Sequence, residues 1–308
     1  MESTHTKNEN AVSDSEPVSH NEPGQRTDRK GFLYSSVFLR VAASVVFIPC
    51  FIVITNTGGY HYLLLIMLLV AVAMGEFYTM MEFKGTRPYK AIGILCGVAL
   101  SYYVFLADGM YSNLFLTLAV LTLMGMELTR RGTNLAVYHI SVTILGVIYV
   151  AFLGSHLVLL RELPLALNLD YNMGASFVFL AFIITWAGDT GAYIVGSTLG
   201  KHRLIPRVSE KKTKEGSVGG LLFSVVAALI ARATVAPYLD LWHALFLGFL
   251  AGIVGQLGDL FESMIKRDAA VKNTSDLLPG HGGVLDRFDS LLFTSPVIYY
   301  FLKFVIFK

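Results

Sequence analysis

In the stretch Gly258-Asp259-Leu260-Phe261-Glu262-Ser263-Met264-Ile265-Lys266-Arg267, acids, a hydroxyl and a base recur at helical spacing. Asp259, Glu262, Ser263 and Lys266 stand at i, i+3, i+4 and i+7, so a helix puts all four on one face. Glu262 and Lys266 could be an ordinary i, i+4 pair at a helix end. Asp259 needs another reason. It lies about 10 Å inside that end at 1.5 Å per residue, in apolar surroundings, where an ionisable group faces a bundle interior or water. Further on, Leu278-Pro279-Gly280-His281-Gly282-Gly283-Val284-Leu285-Asp286-Arg287-Phe288-Asp289-Ser290 joins a glycine-rich turn to two acids at i, i+3. Glycines permit close backbone approach, and a helix start offers unpaired N–H groups suited to phosphate. Asp286 and Asp289 could hold a hard cation such as Mg²⁺. The plainer alternative is a turn whose Asp residues cap the next helix, which suits one Asp better than two. His281 stays open as a base, a stacking group or a turn residue.

Two upstream segments carry related chemistry. Trp186-Ala187-Gly188-Asp189-Thr190-Gly191-Ala192-Tyr193 places another acid, Asp189, in an apolar helix. The loop after it contains Ser209-Glu210-Lys211-Lys212-Thr213-Lys214-Glu215-Gly216-Ser217-Val218-Gly219-Gly220. Lys201 and Arg203, earlier in this loop, read as topogenic charge. The Lys211-Lys212-Thr213 cluster, followed by glycines at a helix start, suits a triphosphate, although the order of a Walker A loop is absent.

The elements that must position these groups are membrane helices. Of 308 residues, 54% are hydrophobic and 15% charged, against about 25% charged in soluble domains, and the mean hydropathy is +0.60. A crossing needs roughly 20 apolar residues. Nine segments are expected to cross, at about 36–56, 60–82, 91–107, 112–129, 137–160, 175–196, 218–237, 241–264 and 288–306. The third and fourth are short. Basic residues alternate across these spans, with 20 of the 24 Lys and Arg on one side. The positive-inside rule then puts the N-terminus in the cytoplasm and the C-terminus outside. The expected fold is therefore all-α, a polytopic membrane bundle.

Residues 1–31 are polar and expected to be disordered, without the apolar core of a signal peptide, so the first span is expected to be retained. A membrane region of helices one to five follows over 32–173, nearly free of acids except for Glu76. The acids and bases at membrane depth concentrate in 174–308. Cys50 and Cys96 lie in apolar runs outside any Cys/His cluster, so zinc and disulfide chemistry has no support and both read as packing residues.

The stretch from Ser263 to Asp289 resembles the signature of the phosphatidate cytidylyltransferases, S-x-x-K-R, then K-D, then P-G-H-G-G-x-x-D-R-x-D. Asp189-Thr190-Gly191-Ala192-Tyr193 and Lys211-Lys212-Thr213 with Glu215-Gly216 look like two further blocks of that family. The strong resemblance covers about 185–300. Asn273 stands where the pattern has Asp after Lys272, and Glu210 where a Pro usually precedes the paired lysines. The resemblance implies that CTP and phosphatidate give CDP-diacylglycerol and pyrophosphate. It implies catalytic roles for Asp259, Ser263, Lys266, Asp286, Arg287 and Asp289, with Asp259 and Asp286 as Mg²⁺ ligands and K⁺ beside the Mg²⁺. Substrate contacts would come from Asp189, Lys211, Lys212 and Thr213, from Arg267 and Lys272, and from Gly280, His281, Gly282 and Gly283.

The implied setting is a bacterial inner membrane with the site facing the cytoplasm. The partners are CTP, phosphatidate and membrane lipid, without nucleic acid, and a homodimer is compatible with the sequence. Two other readings make different products. A CTP-dependent lipid kinase would release CDP and a phospholipid. A transporter with buried carboxylates would turn over no CTP.

Overall fold

The computed structural model describes residues 45, 47–107, 112–130, 132, 134–272, 274–275 and 282–308. The tail expected over 1–31, the first residues of the first expected helix, and Asn273, Gly280 and His281 of the signature lie outside the described residues. Among those described there is no strand, only an isolated bridge between Arg203 and Thr213.

The helices run in the order α1 (Phe47–Thr57), α2 (Gly59–Phe83), α3 (Lys90–Ala107), α4 (Ser112–Thr129), α5 (Ala136–Phe152), α6 (His156–Ala166), α7 (Met173–Leu199), α8 (Lys214–Thr234), α9 (Leu241–Asp268) and α10 (Leu285–Ile306). Helices α2, α7, α8, α9 and α10 are long and apolar enough to cross a membrane. The chain is an integral membrane protein. Most described helices lie near the expected segments, but fewer than the expected nine are long enough to cross. Among the described residues five helices qualify, six if α5 and α6 form one bent span, while α1, α3 and α4 are shorter apolar helices.

The expected single helix at 137–160 is broken. α5 ends in a π-helical turn over Val147–Phe152, and α6 leaves it at an angle of 44°. A break at membrane depth frees backbone carbonyls that lipid cannot satisfy. Here polar side chains take them: Ser155 donates to the carbonyl of Ala151 at 2.6 Å, and Ser295 to that of Leu153 at 3.4 Å. Hydropathy does not register such a break, because Val147–Leu153 is apolar in either geometry.

Helices α7 and α8 pack most closely, along a seam of small residues. A Cβ at Gly188 would stand 2.3 Å from Ser224 Oγ, and one at Gly219 2.5 Å from the Val195 side chain. Small faces let backbones approach where hydrophobic driving force between helices is weak. The glycines after Lys214 therefore belong to this helix seam. They follow the Lys211-Lys212-Thr213 cluster at the start of α8, as expected.

The basic connections gather at one end of the bundle, as their alternation requires. Lys84 after α2 pairs with Asp268 at the end of α9. Arg130 donates to the Arg87 carbonyl at 3.2 Å, and Arg267 to the Val208 carbonyl at 3.4 Å. At the other end Arg161 is fully buried. Its guanidinium donates to the carbonyls of Thr55, Asn56 and Tyr171 at 2.7, 3.1 and 3.2 Å and lies over the Tyr171 ring. One cation thus closes the C-terminal carbonyls of α1 onto α6. Replacing Arg161 with Met would leave those carbonyls unpaired, at about 3 kcal/mol or more. The expected outcome is a clearly lower midpoint of thermal unfolding in detergent, with turnover per folded molecule kept.

Candidate active site

The polar face of α9 and the first turn of α10 meet at the end of the bundle where the basic loops gather. A Cβ at Gly258 would stand 2.7 Å from the Asp289 carbonyl oxygen, so glycine is what lets α10 come this close to α9. The approach brings carboxylate oxygens of Asp259, Glu262 and Asp289 within 4.8 Å of one another. Glu262 and Asp289 are buried.

Fixed cations and hydroxyls surround the acids. Lys212 reaches in from the loop before α8, pairing with Asp259 at 2.6 Å and donating to Ser263 Oγ at 3.3 Å. Lys266 bridges Glu262 and Asp286, at 2.6 and 2.8 Å. The other oxygen of Asp286 accepts from the Gly283 amide at 2.9 Å and from the Thr274 hydroxyl at 3.0 Å. From α7, Asp189 accepts from Ser290 Oγ at 3.2 Å. Tyr149, on the π-helical turn, packs its ring against Phe261 and within electrostatic reach of Asp259, Glu262, Asp286 and Asp289.

Asp189, Asp259, Glu262, Asp286 and Asp289 crowd around Lys212 and Lys266. Two carboxylates 4.8 Å apart repel by roughly 3.5 kcal/mol at an effective dielectric of 20. Oxygen donors from several elements are what Mg²⁺ takes. The donor set fits a hard cation on a second ground: Glu262 Oε1 is buried and, among the described residues, has no hydrogen-bond partner. A buried charged oxygen without a partner costs too much to be incidental. Asp259, Glu262 and Asp289 could hold an ion, and Asp286, bridged to Glu262 by Lys266, stands close enough in the network to share in holding it.

Comparison with known proteins decides the family. The model of the cytidylyltransferase family matches residues 38–305. The chain belongs to the cytidylyltransferase family. A phosphatidate cytidylyltransferase of Synechocystis is 34% identical over 283 residues, covering 85% of this chain and 95% of that protein. The one of Bacillus subtilis is 34% identical over 266 residues, covering 85% and 94%. A third, from Staphylococcus epidermidis, is 45% identical over 125 residues, covering 41% of this chain and 48% of its own.

Within this cytidylyltransferase, the residues singled out from sequence divide into two groups. Asp189, Lys212, Asp259, Ser263, Lys266, Asp286 and Asp289 converge, with Gly283 donating to Asp286. Gly282 makes the turn at a positive φ of 80°. Thr213 is the N-cap of α8, its hydroxyl accepting from the Gly216 amide at 3.1 Å. Arg267 points its guanidinium to the carbonyls of Val208 and Val271 and serves as a tether. Lys211, Lys272 and Arg287 are exposed.

The amides opening α10, expected to receive phosphate, donate to carboxylates here. Gly283 gives its amide to Asp286, and Val284 and Leu285 give theirs to Glu76. Glu262, which spacing alone leaves as an ordinary pair with Lys266, belongs to the acidic cluster, and Thr274, Ser290 and Tyr149 border it without any mark in the sequence. Polar residues bounded by apolar ones, as Tyr149 is, give no signal in one chain. If Glu262 is a ligand, Glu262→Gln should raise the Mn²⁺ concentration for half-saturation roughly 10-fold or more. Electron paramagnetic resonance of the purified protein, read without substrate, checks this; an unchanged titration would remove Glu262 from the set.

Proposed function

We propose that the chain is a CTP:phosphatidate cytidylyltransferase, joining the two substrates into CDP-diacylglycerol with release of pyrophosphate. One observation carries the reading: α9 and α10 of a cytidylyltransferase-family chain converge their acids at the polar end of a membrane bundle, where Lys212 and Lys266 already neutralise two of them. The relatives named phosphatidate cytidylyltransferase support it.

The chemistry asks little covalent work of the protein. A phosphate oxygen of phosphatidate attacks the α-phosphorus of CTP in line. The new P–O bond forms as the bond to the β-bridging oxygen breaks, and pyrophosphate carries away the electron pair. The nucleophile is already an anion, so no general base has to be built. The obstacle is repulsion between two polyanions, and positioning with charge stabilisation is the remedy. Lys212 and Lys266 can exchange carboxylate partners for phosphate oxygens, and Ser263 can donate to one. Arg287 and Lys211, exposed beside them, would draw in the triphosphate.

Asp259 and Asp286 are the proposed Mg²⁺ ligands, joined by Glu262 and Asp289, with K⁺ alongside. Bound there, Mg²⁺ would supply charge neutralisation on the phosphates. We place the site on the cytoplasmic face of a bacterial inner membrane, with the N-terminus inside and the C-terminus outside. The gathered basic loops and the bacterial relatives support that placement. Phosphatidate carries its headgroup at the same interface.

Purified protein given CTP, phosphatidate and Mg²⁺ should yield a CDP-lipid and pyrophosphate. CDP with a new phospholipid would signal a kinase instead, and absence of CTP turnover a transporter. Asp286→Asn should lower kcat on the order of 100-fold. Full rate in that variant would sink the metal assignment.

A further inference from the structure

Glu76 lies far in sequence from every residue of the site, yet it holds the site's main loop at both ends. It is the lone acid in the apolar stretch of α2 between Tyr60 and Met81, and it is buried. Oε1 accepts from Ser275 Oγ at 2.6 Å and from the Val284 amide at 3.0 Å. Oε2 accepts from the Leu285 amide at 2.8 Å and lies 3.4 Å from Thr274 Oγ1. Residues 274 and 275 leave α9; residues 284 and 285 open α10. One carboxylate therefore clasps the two ends of the connection that carries the glycine-rich signature.

The same bonds reach the reacting groups. Thr274 donates through its amide and hydroxyl to Asp286, at 3.2 and 3.0 Å, so Glu76, by holding the next residue, Ser275, steadies the segment that orients Asp286. Val284 and Leu285 precede Asp286 and Asp289 on α10, and anchoring their amides sets the rotation of both acids about the helix axis. A carboxylate is also the group that best meets the positive end of the helix dipole. Its fit is tight. A Cβ on Gly283 would stand 2.6 Å from Glu76 Oε2 and 1.9 Å from Thr274 Oγ1. The second glycine of the Gly282-Gly283 pair is thereby explained: it makes room for a side chain from α2.

We infer that Glu76 is a positioning residue of the cytidylyl transfer site, acting through the Thr274-Ser275 segment and the first turn of α10 on Asp286 and Asp289. This rests on the function proposed above. Glu76→Gln keeps the size but sets an amide group, which cannot accept, against one of the donors. Groups that orient ligands in this way typically matter roughly 10–100-fold. In full-length protein in detergent, Glu76→Gln is expected to lower kcat by roughly 10–100-fold and raise half-activating Mg²⁺ about 10-fold, with a smaller effect on KM for CTP. The rise in melting temperature on adding Mg²⁺ alone should shrink with it.

Ser275→Ala, which removes one clasp bond, should shift the same quantities less and serves if Glu76→Gln does not fold. Two results would overturn the inference. One is a folded variant with wild-type kcat and Mg²⁺ dependence. The other is activity lost only in proportion to folded protein, the remainder keeping wild-type Mg²⁺ half-activation. Wild-type protein that makes no CDP-lipid would sink the proposed function instead, and the substrate-free melting shift would still judge Glu76.

Discussion

Asp259 and Glu262 on α9 repel Asp289 on α10, yet the fold brings these acids within a few ångströms of one another at the end of a membrane bundle. Repulsion of that kind has to be opposed by something stiff. Gly258 removes the side chain that would keep the helices apart, and Lys212 and Lys266 enter from two directions as fixed counter-charges. The packing of α10 across α9, the length of the loop before α8, and the clasp from α2 all serve this one crowded place.

The membrane imposes a second demand, that no backbone group be left alone at depth. The bundle meets it locally at several irregular points. Ser155 and Ser295 cover the break between α5 and α6, Arg161 closes the end of α1, and Asp240 caps α9 through the His243 amide. The irregularity at Val147–Phe152 also has a use, since that turn carries Tyr149 toward the acids.

What the sequence disclosed follows from the range of each signal. Apolar length and basic alternation are local and additive, so the helices fall almost where expected and their basic loops meet at one end. Helical spacing put Asp259, Ser263 and Lys266 on one face, and α9 bears that out. Partners across helices were less legible. Lys212 meeting Asp259, or Ser290 meeting Asp189, depends on helix rotation that no periodicity records. Glu76 was visible as an odd acid in an apolar helix, but its target lies on α10, beyond any local pattern. Thr213, expected as a substrate contact, is the N-cap of α8, and an N-cap and a phosphate contact call on the same residue type, which spacing alone does not separate.

The seam between α7 and α8 has a consequence for how this chain can change over generations. Gly188, Gly191, Gly219 and Gly220 each face an atom closer than a Cβ tolerates, whereas Val226 and Ile230, on the outer side of α8, are exposed to lipid. Drift among Leu, Ile, Val and Phe is open to the outer face and closed to the seam. Freedom to mutate is thus graded around the circumference of each helix, so that a lineage can retune the protein's fit to a new lipid mixture while the pair of helices delivering Asp189 and Lys212 stays fixed.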